Sequence, residues 1–426
     1  MTNLRAAHIK KRYAAERRFK MYGLLAIMFA LGFLAIMLVT ITFRALPAFS
    51  QTYVKVDIEF SENVIDPDGA REKVQIAKAD FQKIVRDGIY ALFPEVTNRK
   101  EKRKLKKLIS SEAGYHIARV LLADDQPDFE FIGTKQSVWV KSSDDIDSFI
   151  KGLIRRDVDE SRRRVNDQQI GWVDQLMADG RIEKRFNWDF FKFGDSRSPE
   201  DAGIRGAVVG SFFTLIITLL LSFPLGVLAA VYLEEYSKPS KMTAFIEVNI
   251  NNLAAVPSIV FGLLGLALFL NFFGMPRSAP LVGGMVLSLM TLPTIIITTR
   301  AALKSVPPSI REAALGIGAS KMQTVLHHVL PLAMPGALTG AIIGMARALG
   351  ETAPLLMIGM VAFIVDVPTG FTDPSTVLPV QIYIWADSPE RAFEAKMSAA
   401  ILVLLFFLVI MNAIAVLLRR RYERRW

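Results

Sequence analysis

Six stretches of this chain are apolar enough, for long enough, to cross a bilayer: Met21 to Phe43, about Gly206 to Leu233, about Phe245 to Phe273, about Leu281 to Thr299, about Ala337 to Val365 and about Met397 to Leu418. A hydrocarbon core about 30 Å thick is spanned by about 20 helical residues. Inside it every backbone N–H and C=O needs a partner within the segment, which a helix supplies. The expected fold class is therefore an all-α polytopic membrane helix bundle of six transmembrane helices, with an inserted soluble α+β domain at residues 44–205. The first stretch has a second reading, a signal peptide. It is longer than a signal h-region and no small-x-small site follows, which favours an uncleaved anchor.

Composition fits a membrane protein with a soluble part, since 52% of the 426 residues are hydrophobic and 22% are charged. A net charge of +10 would suit nucleic acid, but the cations gather at the ends of the apolar stretches and report topology instead. Arg5, Lys10, Lys11, Arg12, Arg17, Arg18 and Lys20 precede the first stretch, and Lys238 and Lys241 follow the second. Arg300, Lys304, Arg311 and Lys321 follow the fourth, and Arg419, Arg420, Arg421, Arg424 and Arg425 close the chain. The loop after the third holds Arg277, and the loop after the fifth sets Arg391 and Lys396 against Asp366, Asp373, Asp387, Glu390 and Glu394. Six spans with both termini in the cytoplasm satisfy every short loop. The expected order is a basic cytoplasmic tail (1–20), an anchor (21–43), an exported domain (44–205), a five-span region (206–418) with a cytoplasmic loop at 300–335, and a second basic tail (419–426). The absence of cysteine excludes disulfides and thiolate metal sites.

In the exported domain, alternation at Val54, Val56, Ile58 and Phe60 predicts a strand. Apolar residues at Val74, Ala77, Phe81, Ile84, Val85, Ile89 and Leu92 predict one amphipathic helix over Ala70 to Phe93. Further helices are expected over Lys100 to Leu122 and Asp145 to about Met177, and a short hairpin from Phe129, Phe131, Val138 and Val140. Ser198-Pro199-Glu200-Asp201 places a capping serine, a proline at N1 and acids in the first turn, which predicts a surface helix leading into the second span. The domain's lone histidine, His116, reads as packed or solvated rather than as a ligand.

Between the fourth and fifth spans the chain reads SIREAALGIGASKMQTVLHHVLPLAMPG from Ser309 to Gly336. Ser309 with Glu312 and Ser320 with Gln323 have capping-box spacing, and Pro307-Pro308 stops a helix entering from upstream. Gly316 and Gly318 lie between the two starts, so two short helices joined by a turn are expected. Such a pair at a membrane face is suited to contact something in the cytoplasm. A DNA-reading helix-turn-helix is a competing reading, disfavoured by the flanking spans and the few cations. An unspecialised amphipathic loop is another.

The fifth span contains Arg347 and Glu351, placed near its middle by the boundaries above. A charge there costs at least about 2.5–3.5 kcal/mol on insertion scales. The i,i+4 spacing lets the two pair. Two readings follow: a pair closing the bundle core, or groups lining a path for a charged solute. A guanidinium donates two parallel hydrogen bonds to an oxyanion, which suits the second. Pro354 breaks the ladder just beyond. Ser258, Thr291 and Thr294, beside Pro257 and Pro293, are weaker candidates because Ser and Thr often bond their own helix.

The loop resembles the EAA loop of ABC-importer permeases: Glu312-Ala313-Ala314, three residues, Gly318, nine residues, an apolar residue, any residue, then Leu330-Pro331. AAVPSIVFGLLG (Ala254 to Gly265) and ARALGETAPLL (Ala346 to Leu356) resemble phosphate-importer permeases of the PstA type, with Thr352 inside the ETAP form. The resemblance covers about Asn187 to the C-terminus. The exported segment resembles an extra N-terminal domain found in a subset of such permeases. The candidate path residues are Arg347, Glu351, Thr352, Ser258, Thr291 and Thr294; by resemblance, ATPase coupling would involve Glu312, Ala313, Ala314, Gly318, Leu330 and Pro331. The implied partners are a second permease of the PstC type, an ATPase dimer of the PstB type, an external phosphate-binding protein of the PstS type, and membrane lipid. No nucleic acid is implied. The chain has no G-x-x-x-x-G-K-[ST] loop, so no cofactor is expected in it, and ATP with Mg would be bound by the partner ATPase. An importer for sulfate or molybdate, or a membrane sensor with an exported ligand-binding domain, are the competing functions.

Overall fold

A computed structural model of the protein describes residues 2–122 and 129–422. Met1, Arg424 and Arg425 of the expected tails lie outside the described residues. Among those residues five helices are long and apolar enough to cross a membrane, and one bent pair makes a sixth candidate.

The first, α1 (Thr2–Ala45), runs without a break from the basic tail through the anchor, then gives one 3-10 turn at Leu46–Phe49. Strand β1 (Ser50–Glu59) leaves that turn directly, alternating buried and exposed positions as its sequence predicts. The expected helix over 70–93 is in fact α2 (Glu62–Ile65), α3 (Lys73–Ile76) and α4 (Phe81–Ala91). Asp80 caps α4 by accepting from the Lys83 N–H at 2.9 Å, which fixes a later start. The second expected helix is also broken, into α5 (Arg99–Lys106) and α6 (Ala113–Leu121). Between them the Ser110 N–H donates to the Lys141 carbonyl, so that stretch of backbone is committed to the sheet and cannot be helical.

Strand β2 (Lys135–Lys141) is not half of a local hairpin with Phe129 and Phe131; it pairs antiparallel with β1, Glu59 opposite Lys135. Phe131 sits in a turn and packs edge-on against Phe60 at 5.3 Å. The third expected helix divides into α7 (Asp144–Ile150) and α8 (Asp167–Ala178), ended by Gly152 at φ +80° and restarted by an Asn166–Gln169 capping box. Strand β3 (Ile182–Phe186), which the pattern does not announce, completes the order β2-β1-β3. Helix α9 (Asp189–Lys192) follows. The residues Ser198–Asp201 form a turn rather than a helix, because the Asp201 carboxylate is drawn to Lys141 Nζ at 2.9 Å and His116 Nε2 at 2.5 Å.

The membrane part begins with α10 (Arg205–Val231), continued by a π-helical turn at Tyr232–Tyr236. The expected third span is α11 (Lys241–Ala254) and α12 (Ser258–Gly265, extended by π-helical Leu266–Phe272), bent by 100° where Pro257 removes a donor and clashes with the preceding turn. Helix α13 (Pro280–Ser305) is the fourth span, and α14 (Pro308–Gly316) follows it. Next, α15 (Lys321–Gln323) passes through π-helical Thr324–Val329 into α16 (Leu330–Gly350) as one continuous apolar rod. The helix that carries the fifth span is therefore Lys321–Gly350, and it ends at Gly350 rather than near Val365. Gly350 and Pro354 end it early, and Pro331 is accommodated in the first turn of α16, where its missing N–H costs little. A short α17 (Ala353–Met357), α18 (Leu378–Ala386) and the long α19 (Ala392–Tyr422) complete the chain.

Lipid offers no hydrophobic drive between helices, so close packing has to come from small residues. Gly336, Gly340 and Gly344 lie on one face of α16, and a Cβ on each would meet Ala302, Thr298 and Thr291 of α13. Between α10 and α13 the Thr218 hydroxyl donates to its own Thr214 carbonyl at 2.8 Å and reaches the Gly284 carbonyl at 3.3 Å. The α+β domain keeps a separate core around Val56, Ile58, Phe60, Ile89 and Trp172. It is seated on the bundle by a second cluster in which Ala45, Ala48, Phe190 and Ile204 meet Trp385, Phe393 and Ala399.

Candidate functional site

Two regions of the bundle hold the residues singled out by sequence. The first lies at the end remote from the α+β domain. Helix α14 starts at Pro307 as N-cap and Pro308 at N1, so the spacing of Ser309 and Glu312 does not make a capping box; Ser309 already stands inside the helix. Ser320 and Gln323 do make the reciprocal box, with Gln323 N–H to Ser320 Oγ at 3.2 Å and Ser320 N–H to Gln323 Oε1 at 2.9 Å. Gly318 has φ +92°, the left-handed conformation that only glycine adopts without strain. Glu312 and Ala313 are exposed, Ala314 is buried, and Leu330 and Pro331 are half-buried where the loop becomes span five.

This loop is clamped to the spans by ion pairs that the sequence shows only as loop charges. Arg311 donates to Glu235 at 2.6 Å and to the Leu303 and Val306 carbonyls at 2.9 and 2.8 Å, closing the open C-terminus of α13. Arg300 reaches Glu247 of α11 at 2.7 Å and Glu234 at 3.5 Å. Arg300 and Arg311 were legible as topology signals; Glu234, Glu235 and Glu247 carried no signal of their own. Beyond the clamp Leu315, Ile317 and Met322 stand in the open, Ile317 at 83% exposure. His328 is exposed too.

The second region is where two helices break side by side. A Cβ on Gly262 of α12 would lie 2.6 Å from Pro354, and one on Gly265 would lie 3.3 Å from Ile358. The register ascends in both segments, so α12 and α17 run parallel. Ser258 is the first residue of α12 and Thr352 is the N-cap of α17. First-turn N–H groups have no partner within their helix, and a helix start is electropositive.

Arg347 stands in the last turn of α16 and Glu351 is its C-cap, so the two lie at the end of this helix and not near the middle of the fifth span as its expected boundaries placed them. Their side chains pair, Nε to Oε1 at 3.4 Å, across the helix end rather than along a continuous helix face. Arg347 is 47% exposed and Glu351 mostly covered. Thr291 and Thr294 lie elsewhere, on α13. Thr291 is buried against Gly344 and its hydroxyl donates to the Ser288 carbonyl at 3.1 Å; Thr294 is half-buried, nearer the C-terminal end of α13. At 1.5 Å per residue, Gly344 to Arg347 is about 4.5 Å along the axis.

The Arg347–Glu351 pair stands at one end of the continuous helix 321–350, and the Gly318 turn stands at the other. Residues 222–424 match the family profile described as a binding-protein-dependent transport system inner membrane component, and residues 6–160 match a domain of unknown function, DUF3333. The chain is 37% identical over 188 residues to the probable ABC transporter permease protein YqgI of Bacillus subtilis, covering 44% of this chain and 63% of that one. It is 32% identical over 225 residues to the phosphate transport system permease protein PstA 1 of Mycobacterium tuberculosis, covering 52% of this chain and 72% of that one. A solved structure of the MetNI methionine ABC transporter in inward-facing conformations aligns over 52% of this chain and 96% of that one, at 18% identity and a TM-score of 0.41. The chain belongs to the PstA-type family of ABC-importer permeases.

Proposed function

We propose that this chain is the membrane permease subunit of an ATP-driven phosphate importer. It forms the translocation path with a second permease of the PstC type and couples that path to an ATPase dimer of the PstB type, which binds ATP and Mg. A PstS-type protein delivers phosphate outside. Both termini and the 300–335 loop face the cytoplasm, and residues 44–205 face out. The observation that carries this reading is the mechanical continuity of residues 321–350: the coupling turn at Gly318 leads into one rod that ends at Arg347 and Glu351. A push on the exposed apolar tip, Leu315 and Ile317, is thereby delivered to the pair. Glu312, Ala313, Ala314, Gly318, Leu330 and Pro331 serve coupling. Arg347, Glu351, Thr352 and Ser258 line the path, with Thr291 and Thr294 behind them. Arg347 receives the oxyanion, and Glu351 holds the guanidinium between passages so that the path does not become a deep anion trap.

The test is purification of the chain from its native membrane in mild detergent, followed by reconstitution with whatever co-elutes. An ATPase subunit should accompany it, and the vesicles should accumulate labelled phosphate only with ATP and the external binding protein. ATP-driven uptake of sulfate or molybdate in preference to phosphate would overturn the substrate, and elution without any ATPase would overturn the coupling.

A further inference from the structure

The exported domain carries large rings on its outside, close to where the chain leaves the bilayer. Phe186, Trp188 and Phe191 are 49%, 62% and 39% exposed. They form one ladder: Phe186 meets Trp188 at 4.7 Å and stacks on Phe191 at 6.3 Å, and Phe191 stacks on Phe49 at 6.1 Å. The depth of this ladder is set by two spans. The Phe190 carbonyl accepts from the Ile204 N–H at 2.7 Å and the Phe193 carbonyl from the Arg205 N–H at 3.1 Å, so α9 rests on the first turn of α10. Phe49 closes the single 3-10 turn that follows α1. The rings thus stand at the same ends of both spans, continuous with exposed Phe43 and Leu46 of the first.

Exposed cations border the rings: Arg44, Lys192 and Arg205. The acids on the same elements are already engaged, Glu183 with Arg185 and Asp189 with Lys141, each at 2.7 Å. Exposed aromatics edged by unopposed cations, at the level where helices leave the hydrocarbon, match the membrane–water interface: the rings enter the headgroup boundary and the cations meet lipid phosphate. We propose that Phe186, Trp188 and Phe191, with Phe43 and Leu46, form a foot by which the exported domain rests in the leaflet on its own side. The foot fixes the tilt of the domain over the bundle. A protein surface would be expected to offer acids to Arg44, Lys192 and Arg205 and is the competing occupant.

The chain has no cysteine, so single nitroxide labels can be placed without background. Trp188→Cys and Phe191→Cys, in the full chain in vesicles of phosphatidylethanolamine and phosphatidylglycerol, are compared with two references. Phe29→Cys faces lipid from mid-α1, and Asp68→Cys lies on an exposed turn. The quantity read is collision with oxygen relative to a water-soluble nickel chelate. Positions 188 and 191 should give a ratio several-fold above position 68 and below position 29. A ratio equal to that at 68 would place the foot in water, and exclusion of both reagents would place a protein against it; either result overturns the proposal. Two labelled positions guard against a variant that fails to fold.

Discussion

Replacing Arg347 with glutamine removes the guanidinium paired with Glu351 and strands that carboxylate. The pair itself contributes little. At 3.4 Å its gross attraction is about 5 kcal/mol for an effective dielectric constant near 20. Desolvation and side-chain ordering cancel most of that, and pairs as open as this one are worth about 0–1 kcal/mol net. The double variant Arg347→Gln with Glu351→Gln leaves no orphan charge, so assembly with partner subunits should be nearly unchanged. A charge-assisted hydrogen bond to a passing oxyanion is worth about 1.5–3 kcal/mol. Its loss should slow uptake at limiting phosphate by about tenfold to a hundredfold, at 1.36 kcal/mol per factor of ten. The assay is labelled phosphate uptake into vesicles holding the reconstituted complex, with co-elution of the subunits as the control for assembly. If the assembled double variant transports within about twofold of the native complex, a change worth under about 0.5 kcal/mol, the pair is structural and Arg347 does not serve the anion.

Three further outcomes follow from the geometry. A Cβ at Gly318 meets nothing within 4 Å, so Gly318→Asp acts through its φ of +92° and its charge rather than through a clash. The backbone cost is about 1–2 kcal/mol, and the variant should insert and assemble yet lose phosphate-dependent stimulation of ATP hydrolysis; full stimulation would separate this turn from coupling. Asp68→Cys should react with an impermeant thiol reagent from outside the cell, and Ser309→Cys only after the membrane is opened, both positions being exposed; the reverse pattern would invert the topology. Burial pushes Glu200 up to about 7 from its ordinary 4.5. The folded protein then keeps a proton that the unfolded chain has lost, so this contribution is full below pH 4.5 and is lost as pH rises to about 7. The Tm of the exported domain, followed by tryptophan fluorescence, should carry that fall, and Glu200→Gln, which cannot ionise, should flatten it.

Much of the membrane part was legible because lipid imposes a local rule. Every backbone group must be satisfied within its own segment, so length and hydropathy suffice to find spans. Turn chemistry was legible for the same reason: the Ser320–Gln323 box and the Gly318 turn depend only on neighbouring residues. The site residues were visible as expensive residue types, since Arg347 and Glu351 stand out in apolar sequence.

What local pattern did not determine depended on distant partners. The fifth span ends at Gly350 rather than near Val365, because α17 turns back to pack on Gly262 of α12, far away in sequence. The Ser198–Asp201 helix start is unused because Lys141 and His116 claim Asp201. The helix expected over 100–122 breaks where residue 110 joins β2, and β3 exists only because β1 offers it an edge. In water a short segment can satisfy its backbone in several ways, and packing against the rest of the domain selects among them. The sequence alone therefore determined that the chain crosses a membrane, where it turns and which charges are out of place. The tertiary structure alone decided that α12 and α17 pack in parallel, Gly262 against Pro354, just beyond the helix end that holds Arg347 and Glu351. That convergence rests on contacts between segments almost a hundred residues apart, about which neither segment's own pattern carries information.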